Sequence, residues 1–205
     1  MLYDLSLSDF IAKTASSDPV PGGGSVSAMC GSLSAALTKM VAGLTVGKKN
    51  YLAVSDQMQK VVDEMPAYIE SLKEAIQEDS NSFDGVMAAF KLPKETEEDK
   101  AKRRKAIDDA TVIAAKVPLK TAETVAQLFP TLEYVAANGN KNAMSDIAVA
   151  TMLARTAVFG ALYNVRINLA GLPDSDFKTE TYQKVTALHE TAEIAETKIL
   201  KSIIL

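Results

Sequence analysis

The stretch PVPGGGSVSAMCGSLSAALTKMVAGLTV, residues 19–46, joins a glycine triplet to a long run of very small side chains. Glycines reach backbone conformations closed to other residues and let another molecule approach the main chain. The run that follows has helical periodicity, and the first turn of a helix carries backbone N–H groups without partners. The stretch predicts a helix over about residues 25–46 whose beginning suits a carboxylate, a phosphate or a polarised ring edge. The alternative is a tight loop that only joins two helices.

Two stripes of this predicted helix differ in side-chain size. The larger apolar residues on one stripe are Val26, Cys30, Leu33, Leu37, Val41 and Leu44, and the small residues on the neighbouring stripe are Ser25, Ser32, Ala36 and Gly43. Small contact residues bring helix axes to the near end of the usual range of about 8–10 Å. We therefore expect this helix to be central and packed by several neighbours, one of them in a second subunit.

Helical periodicity covers the rest of the chain, and alternating strand patterns are almost absent. Further helices are predicted from Ser6 to near Ser16 and over 55–90, where Pro66 bends or splits the helix. Another starts at Thr96, breaks at Pro118 and continues to a cap at Asn138-Gly139. The last two cover 146–169, with Ser145-Asp146 as the cap, and 176–203. The predicted fold class is all-α: a single-domain bundle over residues 1–205 of about six to seven helices, with the long small-residue helix at its centre.

Charge and cysteine content restrict the partners and the compartment. The net charge of −4 gives no basic stripe for nucleic acid, and no basic amphipathic segment suits a membrane surface. The single cysteine, Cys30, excludes an internal disulfide and fits a reducing compartment, and we interpret it as a small core side chain. Asp4 and Asp9 interrupt any apolar signal segment. We expect a cytoplasmic protein with no nucleic-acid or membrane partner.

Several common catalytic arrangements do not fit this sequence. The single histidine, His189, lacks the partners of a zinc site or of a Ser-His-Asp triad. The glycine triplet follows no strand, which argues against a nucleotide-binding fingerprint. A catalyst built on this chain must use carboxylates, lysines, backbone groups and the substrate itself, and we expect neither a metal nor a cofactor.

Two carboxylates are candidates for acid–base chemistry. Asp146 follows Ser145 and the polar stretch Gly139-Asn-Lys-Asn142, although an acid at a helix start also simply complements the helix dipole. Asp79, with Ser82 and Phe83, is the second candidate, and its alternative is exposed helix surface. Lys48 and Lys49, near Tyr51, suit an anionic ligand or complement the dipole at a helix end.

These segments together resemble a known family. The matching stretches are Pro21-Gly-Gly-Gly-Ser-Val26, Met40 to Tyr51, Asp79 with Ser82-Phe83, Leu92-Pro-Lys94, Val117-Pro-Leu119, Gly139-Asn-Lys-Asn142 with Ser145-Asp146, and Asn164 to Leu169. In this order they resemble the formiminotransferase-cyclodeaminase C-terminal domain family over nearly the whole chain. One departure is Asn50, where many relatives carry another lysine.

The resemblance implies an all-α homodimer that acts on tetrahydrofolate one-carbon adducts, including polyglutamylated ones, in one-carbon metabolism and histidine degradation. It implies a formimidoyltetrahydrofolate cyclodeaminase, a lyase that forms 5,10-methenyltetrahydrofolate and ammonia. The alternative is a methenyltetrahydrofolate cyclohydrolase, a hydrolase that yields 10-formyltetrahydrofolate. Both reactions pass through a tetrahedral carbon between two nitrogens and need proton transfer and positioning.

Site residues follow from combining the resemblance with the candidates above. We expect Asp146 to be the acid–base group, with Asp79 the rival for that role or reached across the dimer. The expected substrate-binding residues are Gly22, Gly23, Gly24, Ser25, Lys48, Lys49, Asn140, Asn142 and Ser145. A helical adaptor, or an anion-binding module without catalysis, is the alternative of another class, and an Asp146 remote from any pocket would favour the binding module.

Overall fold

The structure, a computed structural model, describes residues 1–204 and folds them into seven α-helices with no strand among these residues. The helices are α1 (Leu7–Thr14), α2 (Gly23–Gly43), α3 (Ser55–Phe90), α4 (Glu97–Ala126), α5 (Phe129–Asn138), α6 (Met144–Ala170) and α7 (Asp176–Ser202), with 3₁₀ turns at Leu2–Asp4, Lys49–Val54 and Lys141–Ala143. The predicted all-α bundle is confirmed.

Helix α2 lies between α3 and α6 and packs most extensively against these two. It runs antiparallel to α6, because Gly23 lies beside Asn164 while the Ser34 hydroxyl donates to the Ala150 carbonyl at 2.8 Å. Helix α4 also approaches α2 so closely that the contact requires a small residue. A Cβ added to Gly31 of α2 would lie 2.6 Å from Cγ2 of Val125 in α4. The core face of α2 is made mainly of small residues, and the predicted central position is confirmed. The predicted small stripe is only partly this face, because Ser32 and Ala36 are half-buried and Gly43 is exposed.

Hydroxyl groups on α2 and just after it are buried without loss of hydrogen bonding. Ser25, Ser34, Thr38 and Thr45 are fully buried. Each of them donates to a backbone carbonyl at 2.7–3.0 Å. Buried polar groups are costly only when they lack partners, so these hydroxyls fill a tightly packed helix interface at little penalty.

Most of the larger apolar side chains of α2 lie away from the core, with the fully buried Val41 as the exception. Leu33, Met40 and Leu44 are 47%, 41% and 43% exposed, and Val26 and Leu37 are half-buried. We call the residues Val26, Met29, Leu33, Leu37, Met40 and Leu44 the outer stripe. It follows the helix from its first turn to its C-cap. Val26 and Met29 pack against a small apolar cluster that contains Leu2 and Phe10, whereas Leu33, Met40 and Leu44 remain uncovered by the bundle of one chain.

The two prolines that were expected to interrupt helices do not do so. Helix α3 continues through Pro66, so of the two predicted alternatives, a bend or a split, the split does not occur. Helix α4 continues through Pro118, so the break predicted there is wrong. Buried side chains lie on both sides of each proline, for example Met65 and Leu72 in α3. Packing of the whole helix therefore outweighs the one backbone hydrogen bond that a proline removes.

The helix caps follow the sequence in part. Thr96, where a helix was predicted to start, forms a reciprocal capping box of α4 with Asp99, and the Ser6 side chain accepts from the Asp9 backbone N–H. The prediction that Ser145 caps α6 is wrong, because the helix begins at Met144 after Ala143. The Asn140 side chain instead caps the 3₁₀ turn before it by accepting from the Asn142 N–H.

By length and apolar composition alone, two helical segments could cross a membrane: Gly23–Gly43 and Lys141–Ala170. They contain the two helices that pack against each other at the centre of the bundle. Their apolar character is what the core of a helical bundle requires.

Candidate active site

A cleft of about 320 Å³ opens where the start of α2 meets the middle of α3 and the end of α6. We call it the glycine cleft. The residues that line it are Pro19, Val20, Gly22, Gly23, Asp79, Ser82, Phe83, Ala114, Asn164, Ile167 and Asn168. The loop that leads into α2 carries a cis peptide bond between Val20 and Pro21.

Asp79 is the carboxyl group of the glycine cleft. Its Oδ2 lies 2.9 Å from the Ser25 hydroxyl, which is also 3.0 Å from the Ile76 carbonyl. A hydroxyl has one proton to donate and can also accept. When Ser25 donates to Ile76, its oxygen can therefore accept from a protonated Asp79, and when Asp79 is ionised Ser25 can donate to it. The pair accommodates both protonation states.

Gly24 leaves the space that the Asp79 carboxyl group fills. A Cβ built on Gly24 would overlap Oδ1 of Asp79. The glycine triplet was expected to bind the substrate with Gly22, Gly23 and Gly24 alike. The structure places Gly22 and Gly23 on the cleft wall and Gly24 against Asp79. Gly24 therefore makes room for the Asp79 side chain and not for a ligand.

Burial raises the pKa of Asp79 above that of a free aspartate, because the ionised form is poorly solvated between α2 and α3. Contacts with the Ser25 side chain and backbone oppose this effect and lower the pKa. On balance the pKa of Asp79 is raised. A carboxyl group with a raised pKa, open to a cleft, is what a group needs in order both to take and to give a proton near neutral pH.

Two amides form the α6 side of the glycine cleft. Asn164 Nδ2 donates to the Gly160 carbonyl, and Asn168 Nδ2 donates to the carbonyls of Ala114 and Asn164, each at 2.9 Å. Neither side-chain oxygen accepts a hydrogen bond from residues 1–204. Among residues 1–204 the cleft thus combines one acid, two amide oxygens without a donor and one N–H of Asn164 without an acceptor.

The remaining predicted site residues gather at the opposite end of α2. The Asn140 amide donates to the Leu44 carbonyl, and the Lys141 N–H donates to the Tyr51 hydroxyl. Gly47, with φ of 68°, turns the chain towards Lys48. We call the group Lys48, Lys49, Tyr51, Asn140, Asn142, Ser145 and Asp146 the lysine end.

The predicted site is therefore split within one chain. Helix α2 has 21 residues, so the glycine cleft and the lysine end lie about 30 Å apart at about 1.5 Å per residue. Asp79 is brought together with the glycine triplet and Ser25, whereas Asp146 is not among the residues that line this cleft. Asn140 and Asn142 bond to Leu44 and to each other, so the expected support of Asp146 by these amides does not appear among the described contacts.

Other features of the chain offer less chemistry. A cleft of about 250 Å³ near Phe10 and Met29 is mostly apolar, and its one charged lining residue, Lys73, pairs with Glu70 at 2.8 Å. Cys30 is half-buried, and burial raises the pKa of its thiol, which disfavours the thiolate. Residues 1–204 contain no cluster of three or more His, Cys, Asp or Glu that could hold a metal ion.

A partial signal for the amides that line the cleft is present in the sequence. Asn164 and Asn168 share the otherwise small, apolar face that contains Ala150 and Ala157, and buried amides need partners. They were part of the resemblance but were not among the predicted site residues. What the sequence could not show is that this face meets Asp79, which lies 85 residues earlier than Asn164 in the chain.

The fold and the cleft define a helical-bundle protein whose candidate site lies between four helices, α2, α3, α4 and α6, around one carboxyl group. A sequence profile of the formiminotransferase-cyclodeaminase family matches residues 6–187. The chain belongs to this family.

Individual relatives agree with this assignment. Mouse formimidoyltransferase-cyclodeaminase is 36% identical over 98% of this chain, and methenyltetrahydrofolate cyclohydrolase of Methylorubrum extorquens is 35% identical over 97% of it. The match spans only 37% of the mouse protein but 95% of the Methylorubrum protein. The crystal structure of a formiminotetrahydrofolate cyclodeaminase from Thermotoga maritima has a TM-score of 0.88 at 29% identity, covering 99% of this chain and 98% of that one.

Proposed function

We propose that this chain is a folate one-carbon enzyme that closes the ring of formimidoyltetrahydrofolate, forming 5,10-methenyltetrahydrofolate and releasing ammonia. The observation that carries the proposal is Asp79, a carboxyl group of raised pKa that faces the glycine cleft. The proposal is also supported by the Thermotoga cyclodeaminase, whose whole length this chain matches.

The chemistry requires a group that handles protons in both directions. N10 of the folate attacks the formimidoyl carbon, so a C–N bond forms and N10 loses its proton. The bond from that carbon to the exocyclic formimidoyl nitrogen then breaks, and this nitrogen gains a proton and departs as ammonia. Asp79 in its ionised form takes the N10 proton, and in its protonated form it gives this proton to the departing nitrogen. The helix-start N–H groups of α2 favour developing negative charge nearby.

The cyclohydrolase reaction is the second candidate. It is supported by the Methylorubrum cyclohydrolase, of which this chain covers 95%. Here water attacks the methenyl carbon and loses one proton. The C–N5 bond then breaks as the second proton of the former water is lost and N5 gains a proton, which gives 10-formyltetrahydrofolate and one released proton. Asp79, which faces the cleft, is the candidate acid–base group for this reaction too. Neither reaction requires a cofactor or a metal. We also propose a cytoplasmic location for the chain.

We further propose that two chains form a homodimer through their outer stripes. An uncovered apolar stripe along a central helix is typical of an interface. A two-fold axis across the middle of α2 would bury both stripes and set the two helices antiparallel. The lysine end of one chain then lies beside the glycine cleft of its partner. Such a dimer would reunite the two halves of the predicted site, with Asp146 as a second acid–base group beside Asp79.

In that arrangement the lysine end has a binding role. Lys48 and Lys49 are exposed and make no ion pair with an acid among residues 1–204. We propose that they attract the glutamate carboxylates of a polyglutamylated folate, an attraction that salt weakens because the groups are exposed. Ser145, Asn140 and Asn142 offer further polar contacts at this end.

The test is to assay the purified chain on both adducts, following ammonia release and loss of methenyl absorbance. Asp79→Asn should lower turnover by about 10²–10⁴-fold with little change in substrate affinity. Glu78→Gln, which changes the neighbouring exposed acid that pairs with Lys120, is the matched control and should keep turnover. Folate binding without turnover on either adduct would favour the binding module, and no folate binding at all would refute the proposal.

A further inference from the structure

We infer that Asn164 and Asn168 recognise the pteridine ring of the substrate by accepting hydrogen bonds from the N–H donors of its 2-amino-4-oxopyrimidine edge. This inference rests on the proposed function, because it names the part of the folate that occupies the glycine cleft. It also fixes the orientation of the substrate, with the ring at the glycine cleft and the tail directed away from it.

The direction of the hydrogen bonds follows from how the two amides are held. Asn168 Nδ2 uses both of its N–H groups, on the carbonyls of Ala114 and Asn164. Asn164 Nδ2 uses one, on the Gly160 carbonyl, and its second N–H makes no hydrogen bond with residues 1–204. These bonds fix the nitrogens towards the protein. The oxygens, which accept nothing from residues 1–204, are left to the cleft. A ligand here meets two amide oxygens and the Asp79 carboxyl group against one free N–H of Asn164, so it binds best through donors.

The donor edge of a reduced pterin meets this requirement better than any other part of a folate. The 2-amino group and N3–H present neighbouring donors, whereas the glutamate tail presents only carboxylate oxygens and one amide N–H. The carboxylate oxygens of the tail are acceptors, as are the two amide oxygens and the ionised Asp79. These groups cannot form hydrogen bonds with one another. The glycine cleft thus selects against the tail, which agrees with a tail that binds at lysines elsewhere.

The shape of the cleft points to the same occupant. Phe83 of α3 and Ile167 of α6 are its largest apolar lining side chains, and Ile167 is 74% exposed. They give apolar surface for the faces of a flat ring. The volume of about 320 Å³ lies near the lower end of ligand pockets, about 300–1,000 Å³. It suits a bicyclic ring rather than a whole folate.

A structural role for the amides must be separated from recognition. Asn168 links α6 to α4 through the Ala114 carbonyl, so its loss would perturb packing even if no ligand touched it. A thermodynamic cycle removes this contribution, because it compares how two ligands that differ by one amino group bind to the same protein variant. General damage to the fold affects both ligands equally and cancels.

The experiment measures binding of 6-methyltetrahydropterin and of its counterpart without the 2-amino group by titration calorimetry under reducing conditions. The wild-type chain should bind the deaminated ring about 10-fold or more weakly, since acceptors then lose their donor. In Asn164→Ala/Asn168→Ala the two rings should bind within about twofold of each other. Asn138→Ala is the control, because Asn138 makes the same bond to the carbonyl four residues before it but lies on α5; it should discriminate like the wild type.

Equal discrimination by the wild type and the double variant would overturn the inference while leaving the proposed function intact. If the double variant does not fold, Asn164→Ala replaces it, since the Asn164 amide bonds only within α6; loss of about threefold or more in discrimination is then expected, and unchanged discrimination overturns the inference. Failure of the wild type to bind either ring counts against ring recognition at the cleft. Turnover with intact folates then decides the proposed function separately.

Discussion

At the scale of single residues, Gly24 and Asp79 compete for one small volume between α2 and α3. Replacing Gly24 with alanine should displace the Asp79 carboxyl group, because the new Cβ would overlap Oδ1. We expect Gly24→Ala to lower turnover and the free energy of unfolding together. Both are measured on one preparation, by the folate assays and by denaturant unfolding.

Gly85 is the matched control for this substitution. It also lies in a helix, but nothing is within 4 Å of the Cβ that alanine would add. Gly85→Ala should raise the free energy of unfolding by up to about 1 kcal/mol, as alanine favours helix over glycine. Equal effects of the two substitutions would mean that Asp79 has room to move aside.

The raised pKa of Asp79 should appear in the pH dependence of stability. The folded chain holds this proton more tightly than the unfolded chain, so the contribution is present at low pH and is lost as pH rises through the folded-state pKa. Asp79→Asn has no such titration. The difference in free energy of unfolding should therefore shift in favour of the variant between about pH 4 and neutral pH. Parallel curves for the two proteins would contradict the raised pKa.

Which residues could be foreseen depended on how local the evidence was. The glycine triplet, Ser25 and Asp79 were all found from the sequence as candidates. The role of Gly24 in leaving space for the Asp79 carboxyl group was not foreseen. The two segments are far apart in the chain, since Ser25 and Asp79 are separated by 54 positions, and only the packing of α2 on α3 brings them together. Asp146 was ranked above Asp79 because its polar neighbours are adjacent in sequence, whereas the raised pKa of Asp79 arises from burial that no local pattern shows.

At the scale of helices, the contact of α2 with α4 should be sensitive to one methyl group. Gly31→Ala would place its Cβ 2.6 Å from Cγ2 of Val125 and 3.3 Å from Leu72. Overpacking of this kind costs about 1–3 kcal/mol. The loss should be smaller in a Val125→Ala background, where the clashing methyl group is absent, and denaturant unfolding of the four proteins measures this.

Gly43, at the end of the same helix, provides the comparison. A Cβ there would lie 3.9 Å from Val62, an ordinary contact, so Gly43→Ala should not destabilise the chain. If Gly31→Ala is equally harmless, α2 and α4 must be able to separate more easily than their packing indicates.

Helix positions were predictable from periodicity, whereas helix ends depended on tertiary packing. Pro66 and Pro118 have clear local reasons to end a helix, yet both lie inside α3 and α4, which are buried on either side of them. The chain turns instead just before Pro130, which occupies the first turn of α5, where a missing N–H costs nothing. Propensity is local, and the core that overrides it is not.

At the scale of the whole molecule, mixed dimers can show whether the two halves of the site come from different chains. Asp79→Asn and Asp146→Asn chains, each expected to be impaired alone, are unfolded together and refolded. If each site takes Asp79 from one chain and Asp146 from the other, a mixed dimer has one intact site. A random mixture should then regain about a quarter of wild-type turnover, since half the dimers are mixed.

The control uses the outer stripe. Leu33→Glu added to both chains would place charge at the proposed interface and should abolish the recovery, with the loss of the dimer visible by light scattering. If both variants are impaired and the mixture recovers nothing, the two acids do not act in one site shared across a dimer.

The glycine cleft draws its walls from residues 19–24, from 79–83, from Ala114 and from 164–168. These segments belong to four separate parts of the chain, and the last of them is translated after about four-fifths of the described length. Individual helices form within about a microsecond, but contacts this distant in sequence form late. During refolding, helical circular dichroism should therefore return before affinity for a pterin does. Binding of the ring therefore reports that the whole bundle has assembled. A fragment that ends before α6 lacks one wall of the cleft and cannot bind it.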